Sequence, residues 1–225
     1  MKTLSDLLRT NPVFAALPVP GLEEAVRLAS SRAYRQGEKV ILYGDVWPCL
    51  FMVGSGSIEA LKESSEGRVL RVAFFGEGEL FWGLAFFHEN AAMPVTLGAR
   101  EDSMIHIWTR EDILPLMLQN GKASWELSRL MAGRMQRASE MLEGLAFQPV
   151  AGRLAKLLLE NFETAGDASI ARNLTLDEMA AQIGTTREIV CRALYNFSDK
   201  KLIKVTRTEF VLTNHAGLAQ LVERG

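Results

Sequence analysis

Two arginines and one glutamate lie within a short stretch near the carboxyl end of the sequence: Arg187, Glu188 and Arg192. On a helix they share one arc of roughly 140°, because each residue advances the helix by about 100°. Arginine can donate two parallel hydrogen bonds to guanine O6 and N7, and glutamate can accept one from cytosine N4. These residue types at this spacing therefore predict contact with base edges in the major groove of DNA.

The opposite side of this predicted helix is apolar and is expected to be its core face, formed by Ile189, Val190, Ala193, Leu194 and Phe197. Cys191 and Tyr195 fall on the polar arc, where we expect Cys191 to serve packing or a DNA contact rather than a redox switch. A cation at the start of a helix opposes the helix dipole, so Arg187 is expected to have a partner.

The preceding residues predict the elements that position this helix. Residues 175–178 read Thr-Leu-Asp-Glu, a capping box that predicts the start of a first helix. Residues 185–188 read Thr-Thr-Arg-Glu and predict a second capping box, with Gly184 supplying the turn between the two helices. Two capped helices joined at one glycine are the pattern of a helix-turn-helix.

A β-hairpin is predicted directly after the second helix, with strands over residues 203–206 and 210–212. It would form a wing whose Lys204 and Arg207 contact DNA phosphates, together with Thr186 at the start of the second helix. Residues 213–223 are expected to form a short closing helix.

Charge is concentrated in this part of a chain whose net charge is only −2. Residues 187–207 hold six basic side chains against two acidic ones, Glu188 and Asp199. A local positive surplus is typical of a surface that binds nucleic acid. The alternative is an ordinary solvated surface.

Composition excludes several classes of protein. The 225 residues are 48% hydrophobic and 23% charged, which is typical of a folded protein of one or two domains. Cysteines and histidines are too few for a disulfide framework, a four-thiolate cluster or a metallohydrolase, so no metal is predicted; they are Cys49, Cys191, His88, His106 and His215. Asp6 interrupts any signal peptide, and no apolar run reaches about 18 residues, so we expect a cytoplasmic protein with no membrane partner.

The amino-terminal half has a different pattern. Residues 1–30 show helical spacing, interrupted by Pro18 and Pro20. Residues 34–108 contain short apolar stretches separated by glycines, which predicts many short strands closed into a roll or barrel.

A long helix is predicted over residues 124–146, ending before Pro149, where we place a hinge. Its apolar residues follow two registers that pass on either side of Arg134; they are Leu127, Met131, Met135, Ala138, Met141, Leu142 and Leu145. Two apolar seams on one helix can serve two partners, the chain's own roll and a second copy of the chain. The alternative is one wide apolar face packed inside a monomer.

The chain resembles the CRP/FNR family of bacterial transcription regulators along nearly its whole length. The resemblance rests on RQGEKVILYGD and VGSGSIEAL in the roll, on RMQRASEMLEGLAFQPVAGRLAKLLL, and on TTREIVCRAL, where the family's Arg-Glu-x-x-x-Arg falls on Arg187, Glu188 and Arg192. It implies an α+β fold with a cyclic-nucleotide-binding-type β-roll (1–110), a dimerisation helix and hinge (111–148) and a winged helix-turn-helix (149–225). It also implies a homodimer, a palindromic operator on double-stranded DNA and contact with RNA polymerase.

The resemblance fails at the effector pocket. Where members of the family that bind cyclic nucleotides carry a glutamate, an arginine and an adenine-contacting threonine, this chain has Gly83, Met93 and Ala138. In an alternative alignment, Gly78-Glu79-Leu80 takes the place of the family's phosphate-binding Gly-Glu-Leu motif, but the next arginine along the chain is then Arg100. A buried phosphate without a cation would be costly, so cyclic AMP is not expected to bind. The predicted degenerate pocket is formed by Trp82, Gly83, Leu84, Phe86, Met93, Pro94, Ala138 and Ser139.

Several alternatives stay open at this point. The regulator could sense an apolar small molecule, could bind haem through His88, His106, Cys49 or Met93, or could have no effector at all. Other classes are a cyclic-nucleotide module of an enzyme or channel, which the helix-turn-helix disfavours, and a cupin-like enzyme, for which clustered histidines are lacking.

Overall fold

The computed structural model describes residues 2–165, 169–171 and 174–223. The chain divides into two packed units, the first comprising Met1–Lys62 and Arg71–Gln136 and the second Glu63–Leu70 and Arg137–Gly225. The division therefore falls inside the long helix, whereas the boundaries expected from the sequence, after residues 110 and 148, stay predictions.

Three short helices open the first unit: α1 (Leu4–Thr10), α2 (Pro12–Ala15) and α3 (Val19–Leu28). Thr3 caps α1 in a capping box with Asp6, and Pro12 occupies the first turn of α2, where its missing N–H costs nothing. The apolar faces of these helices are buried, with Leu7, Leu8 and Phe14 at most 1% exposed.

Eight strands follow, as the glycine-punctuated pattern predicts: β1 (Ser30–Tyr34), β2 (Lys39–Ile41), β3 (Cys49–Ser55), β4 (Ile58–Glu63), β5 (Val69–Phe75), β6 (Leu80–Trp82), β7 (Thr96–Ala99) and β8 (Ser103–Thr109). They form two four-stranded sheets, in the orders β1-β8-β3-β6 and β2-β7-β4-β5. Trp108 of β8 is fully buried, and its indole N–H donates a hydrogen bond of 2.7 Å to the carbonyl of Ala25.

Two helices complete the connection to the second unit, α4 (Arg110–Gln119) and α5 (Gly121–Phe147). α5 begins three residues earlier than the sequence suggests and ends before Pro149, as expected. Leu127 of α5 is only 6% exposed and packs in the same core as α1 and α3. Leu127 is therefore covered within its own chain, which differs from its predicted place in a dimer interface.

The carboxyl-terminal elements are α6 (Val150–Ala165), β9 (Ser169–Ala171), α7 (Leu176–Ile183), α8 (Arg187–Asp199), β10 (Ile203–Val205), β11 (Glu209–Leu212) and α9 (His215–Glu223). The three strands form one sheet in the order β10-β11-β9, which adds to the predicted hairpin a strand that the sequence pattern did not reveal. A separate core lies beneath α8, with Leu154, Val190 and Phe210 at most 1% exposed.

In the part of the chain that the structure describes, every helix is too short or too polar to cross a membrane.

Candidate nucleic-acid interface

α7, the first helix of the helix-turn-helix, is fixed at both ends. Thr175 Oγ1 accepts a hydrogen bond of 3.1 Å from the N–H of Glu178, and a Glu178 carboxylate oxygen accepts one of 2.7 Å from the N–H of Thr175. The predicted capping box is thus present. Gly184 closes α7 in the left-handed region at φ 65°, where a Cβ would also lie 2.6 Å from Leu145 Cδ2. Both facts make glycine the residue that fits this turn.

The second predicted capping box is wrong. α8 begins at Arg187, so its N-cap is Thr186, which makes no side-chain capping hydrogen bond. Glu188 is then the second residue of the helix, whereas a capping box requires the acidic residue at the third position. The Thr186 hydroxyl and the Glu188 carboxylate are consequently not committed to capping.

The two faces of α8 differ sharply in burial. Val190, Leu194 and Phe197 are at most 5% exposed and pack in the core of the second unit. The predicted polar face is exposed at the surface: Arg187, Glu188, Cys191, Arg192 and Tyr195. Ile189 was expected in the core but is 38% exposed, because it lies at the border between the two faces.

Arg187 has a partner that sequence reasoning missed. Its Nη1 donates a hydrogen bond of 3.2 Å to Oδ2 of Asp177, and both side chains are about two-thirds exposed. Asp177 lies in the first turn of α7, where the helix dipole favours a carboxylate. The capping box at residues 175–178 contained this residue, but only the tertiary arrangement pairs it with Arg187.

The wing presents its basic residues to solvent. Lys204 on β10 and Arg207 in the β10–β11 turn are both exposed. The turn is held by Thr206, whose N–H donates to the Glu209 carbonyl at 2.9 Å and whose Oγ1 accepts from the Glu209 N–H at 3.0 Å. A hydrogen-bonded turn keeps these two cations near the same end of the sheet.

Arg153 of α6 ties the end of α5 to α7, which sequence reasoning also missed. Its Nε donates to the Ile183 carbonyl at 2.8 Å, and its Nη1 donates to the Gln148 carbonyl at 2.6 Å. These carbonyls lie at helix ends, where backbone acceptors lack partners within the helix. Burial lowers the pKa of the Arg153 guanidinium from its ordinary value.

In the first unit, the predicted effector region is tightly packed at Gly83. A Cβ at this position would lie 1.8 Å from the carbonyl oxygen of Trp47, and the Gly83 N–H donates a hydrogen bond of 2.9 Å to Cys49. No side chain fits there without displacing backbone. A glutamate that holds a ribose hydroxyl is therefore sterically excluded from position 83.

The other residues predicted for this region are divided between core and surface. Phe86 and Met93 are at most 2% exposed and belong to the core, Trp82 and Leu84 are partly buried, and Pro94 is exposed. Rings crowd this part of the roll: the centroids of Trp82 and Phe87 are 5.9 Å apart and those of Phe86 and Phe87 are 4.9 Å apart. Ala138 and Ser139 lie exposed on α5, in the second unit.

The charged groups near this region are used by the protein itself. Glu79, the glutamate of the alternative alignment, accepts a hydrogen bond of 2.8 Å from the N–H of Gly76. Arg134, which the sequence marked only as a gap in the apolar seams, donates to the Leu80 carbonyl. Its guanidinium carbon lies 4.6 Å from the centroid of Trp82 and 4.8 Å from that of Phe75. Arg134 is thus a cation that the sequence argument overlooked, held by a carbonyl and two aromatic faces.

The candidate haem ligands are not brought together. His106 stands opposite Met52 and Cys49 opposite Thr109 in the pairing of β3 with β8. Positions 49 and 52 point to opposite faces of the sheet because side chains alternate along a strand. His88 is exposed, and no group of three or more histidine, cysteine or acidic side chains with metal-site geometry occurs among the described residues.

The two predicted seams of α5 differ in burial. Of the predicted seam residues, Leu127 is buried, whereas Met131, Met135 and Leu142 are 36%, 73% and 67% exposed. Ala138 is also exposed, and Met141 and Leu145 are partly buried. We call Met131, Met135, Ala138 and Leu142 the exposed seam; its spacing of four, three and four residues is that of a coiled coil.

In comparison with known proteins, each of the two units matches a known domain family. A model of the cyclic nucleotide-binding domain matches residues 31–120, and a model of the Crp-like helix-turn-helix domain matches residues 152–221. The chain is 26% identical over 199 residues to the Cyclic AMP receptor protein of Thermus thermophilus, covering 88% of this chain and 90% of that protein. It is 21% identical over 222 residues to the CRP-like cAMP-activated global transcriptional regulator of Mycobacterium tuberculosis, covering 96% and 99%.

A solved structure shows the same fold. The c-di-GMP responsive global regulator CLP of Xanthomonas campestris superposes with a TM-score of 0.77 at 20% identity, covering 87% of this chain and 99% of that one. The order of a nucleotide-binding-type roll, a long helix and a winged helix-turn-helix is thereby confirmed. The chain belongs to the CRP/FNR family and is a transcription regulator with a helix-turn-helix DNA-binding domain.

Proposed function

We propose that the protein binds an approximately palindromic operator as a homodimer and that cyclic AMP does not control it. The observation that carries the DNA-binding part is the exposed face of α8, which presents Arg187, Glu188 and Arg192 opposite the face that packs in the core of the second unit. A helix of this kind enters the major groove with its amino-terminal residues directed at base edges.

Each exposed residue of this surface receives a role. Arg187 and Arg192 read guanine O6 and N7, and Glu188 accepts from cytosine N4. Because the N-cap of α8 is Thr186, Glu188 takes no part in a capping box, which supports a role for its carboxylate in base recognition. Cys191 lies on the same face and contacts a base or the adjacent backbone.

Phosphate contacts flank the base contacts. Thr186 has an uncommitted hydroxyl at the start of α8, and Lys204 and Arg207 are exposed on the wing. Contacts of this kind set the register of a protein on DNA and supply affinity that depends on salt. Because the protein acts on DNA and contacts RNA polymerase, we place it in the cytoplasm.

The homodimer forms through the exposed seam of α5. Three large apolar side chains at heptad spacing are exposed on one stripe of a 27-residue helix, which favours a second copy of the same helix as the partner. Leu127 is not part of this interface, and Met141 and Leu145 contribute at its margin. Two linked recognition helices then reach half-sites about one helical turn of DNA apart.

Packing in the roll supports the proposal that cyclic AMP is not the effector. The two relatives named above are described as cyclic-AMP regulators, but here Gly83 leaves no room for a carboxylate and Met93 is buried in the core. Arg134 would have to give up a carbonyl and two aromatic faces to meet a phosphate. The packed rings favour a roll filled by its own side chains, and a cavity for an apolar small molecule is the second candidate.

The experiment is selection from random duplex DNA by the purified protein without nucleotide, followed by calorimetry with cyclic AMP. We expect a palindromic consensus containing G·C pairs, and no heat of binding at about 100 μM cyclic AMP, where a micromolar site would be saturated. Selection of a single half-site without its inverted repeat would contradict the proposed homodimer. Micromolar binding of cyclic AMP that tightens operator affinity would remove the effector proposal.

A further inference from the structure

The Asp177–Arg187 pair joins the two helices of the helix-turn-helix at the surface expected to meet DNA. Nη1 of Arg187 donates the hydrogen bond of 3.2 Å to Asp177 Oδ2. Nε and Nη2 take no part in this contact. A guanidinium carries five donors in a planar fork, so the contact leaves an edge able to donate two parallel hydrogen bonds.

The electrostatic setting explains why the pair forms although both side chains are exposed. Arg187 is the first residue of α8, where the helix dipole disfavours a cation, and Asp177 lies in the first turn of α7, where it favours an anion. The other charges nearby on the same two helices are Glu178, which closes the capping box, and Glu188 and Arg192. Asp177 is thus the carboxylate that holds the Arg187 guanidinium.

We propose that Asp177 is a positioning residue for base recognition, which keeps the Arg187 guanidinium oriented towards guanine and away from phosphate. This inference rests on the proposed DNA-binding function. Because the contact with Asp177 orders the Arg187 side chain before DNA binds, less conformational entropy is lost on binding. The negative charge of Asp177 also repels phosphates, so Arg187 gains little when no guanine faces it.

The two effects have opposite signs on the two kinds of DNA. Ordering a flexible side chain before binding raises the affinity for DNA about two- to tenfold. Asp177→Asn should remove this gain, so operator binding should weaken by about that factor. Breaking an exposed ion pair changes an equilibrium constant about two- to fivefold. Because Asp177→Asn frees Arg187 from its ion pair, the affinity for unrelated DNA should rise by about this factor. Preference for the operator therefore falls through both changes.

The test compares wild type and Asp177→Asn on the selected operator and on a scrambled duplex of equal length, at several salt concentrations. We expect weaker binding to the operator and tighter binding to the scrambled DNA. On the scrambled DNA, the slope of log affinity against log salt concentration should steepen by about one unit, as for one additional phosphate contact. Repeating the DNA selection with the variant should relax preference at the base pair that Arg187 reads and leave the other positions unchanged.

Two controls separate positioning from net charge and folding. Asp199→Asn makes the same charge change at the other end of α8, where the aspartate is exposed, and should tighten binding to both DNAs equally, if at all. In an Arg187→Ala background, Asp177→Asn should no longer alter the operator preference. Circular dichroism confirms that each variant is folded.

Three outcomes overturn the inference: unchanged binding by Asp177→Asn, an equal increase on both DNAs, or an effect that persists without Arg187. Absence of any sequence preference in the wild type is a different result, because it removes the proposed function itself and the inference with it.

Discussion

Gly184 and Gly83 occupy positions where an added side chain would strike a neighbouring atom, at 2.6 Å from Leu145 and 1.8 Å from the Trp47 carbonyl respectively. In the second unit, the left-handed backbone at Gly184 forms the turn that precedes α8. In the first unit, the close approach of the Trp47 backbone to Gly83 closes the place where a ligand-binding carboxylate would stand. The chain thus combines an exposed polar face on α8 with a roll in which Glu79, Arg134 and the neighbouring rings contact other groups of the same unit.

The largest expected effect would come from breaking the proposed dimer, on which operator binding would depend. Met135→Glu places a charge in the exposed seam and should give monomers whose operator affinity falls at least about a hundredfold, because single half-sites bind weakly. Light scattering and fluorescence anisotropy measure the two effects. Gly133→Glu is the matched control, since a side chain at Gly133 meets nothing within 4 Å. A wild type that is monomeric at micromolar concentration would contradict the proposed interface.

The next expected effect concerns base reading. Arg187→Ala should cost about 1–3 kcal/mol of operator binding and relax preference at one base pair. Lys204→Ala should instead weaken binding to all duplexes alike and reduce the salt dependence by about one charge. Anisotropy titrations with operator and scrambled DNA distinguish them. Equal losses on both DNAs for Arg187→Ala would show that Arg187 contacts only phosphate.

The stability of the roll should respond to the addition of a single methyl group. Gly83→Ala should lower the free energy of unfolding by about 1–3 kcal/mol, because its Cβ must displace the Trp47 backbone. Gly133→Ala, on an exposed helical position, should raise it by up to about 1 kcal/mol. Urea unfolding measures both. Unchanged stability of Gly83→Ala would show that the region can open, and would reinstate it as a ligand site.

The smallest effect is a dependence of stability on pH that belongs to the roll. Burial lowers the pKa of His106, whose Nδ1 lies 2.8 Å from Ser31 Oγ. The unfolded chain therefore binds this proton more readily, so stability is full above about pH 6.5 and falls as the pH drops through the lowered pKa. His106→Gln should flatten the urea-unfolding midpoint between about pH 5 and 7. His88→Gln is the matched histidine substitution at an exposed position.

Local patterns predicted the elements and the faces of α8. The Thr175 capping box, the glycine turn and the apolar spacing of Val190, Leu194 and Phe197 are all encoded within a few residues, and each is present in the structure. Alternating short apolar stretches likewise predicted the strands of the roll. Each feature follows from periodicity or hydrogen bonding between near neighbours.

Features that depend on distant contacts were missed. The burial of Leu127 depends on a core that it shares with residues of α1 and α3. The constraint on Gly83 comes from Trp47, and Arg134 is held by Leu80. The error at Thr185 has a different cause, because two adjacent threonines allow two helix starts and only the backbone decides between them.

We expect operator recognition to need two copies of the chain and no cyclic nucleotide. The measurement that decides this is the affinity of the wild type for the selected operator and a scrambled duplex, with and without about 100 μM cyclic AMP, where a micromolar site would be saturated. We predict a preference for the operator of about a thousandfold or more in nucleotide-free solution, unchanged when cyclic AMP is added. A preference that emerges only with cyclic AMP would show instead that the nucleotide controls the protein.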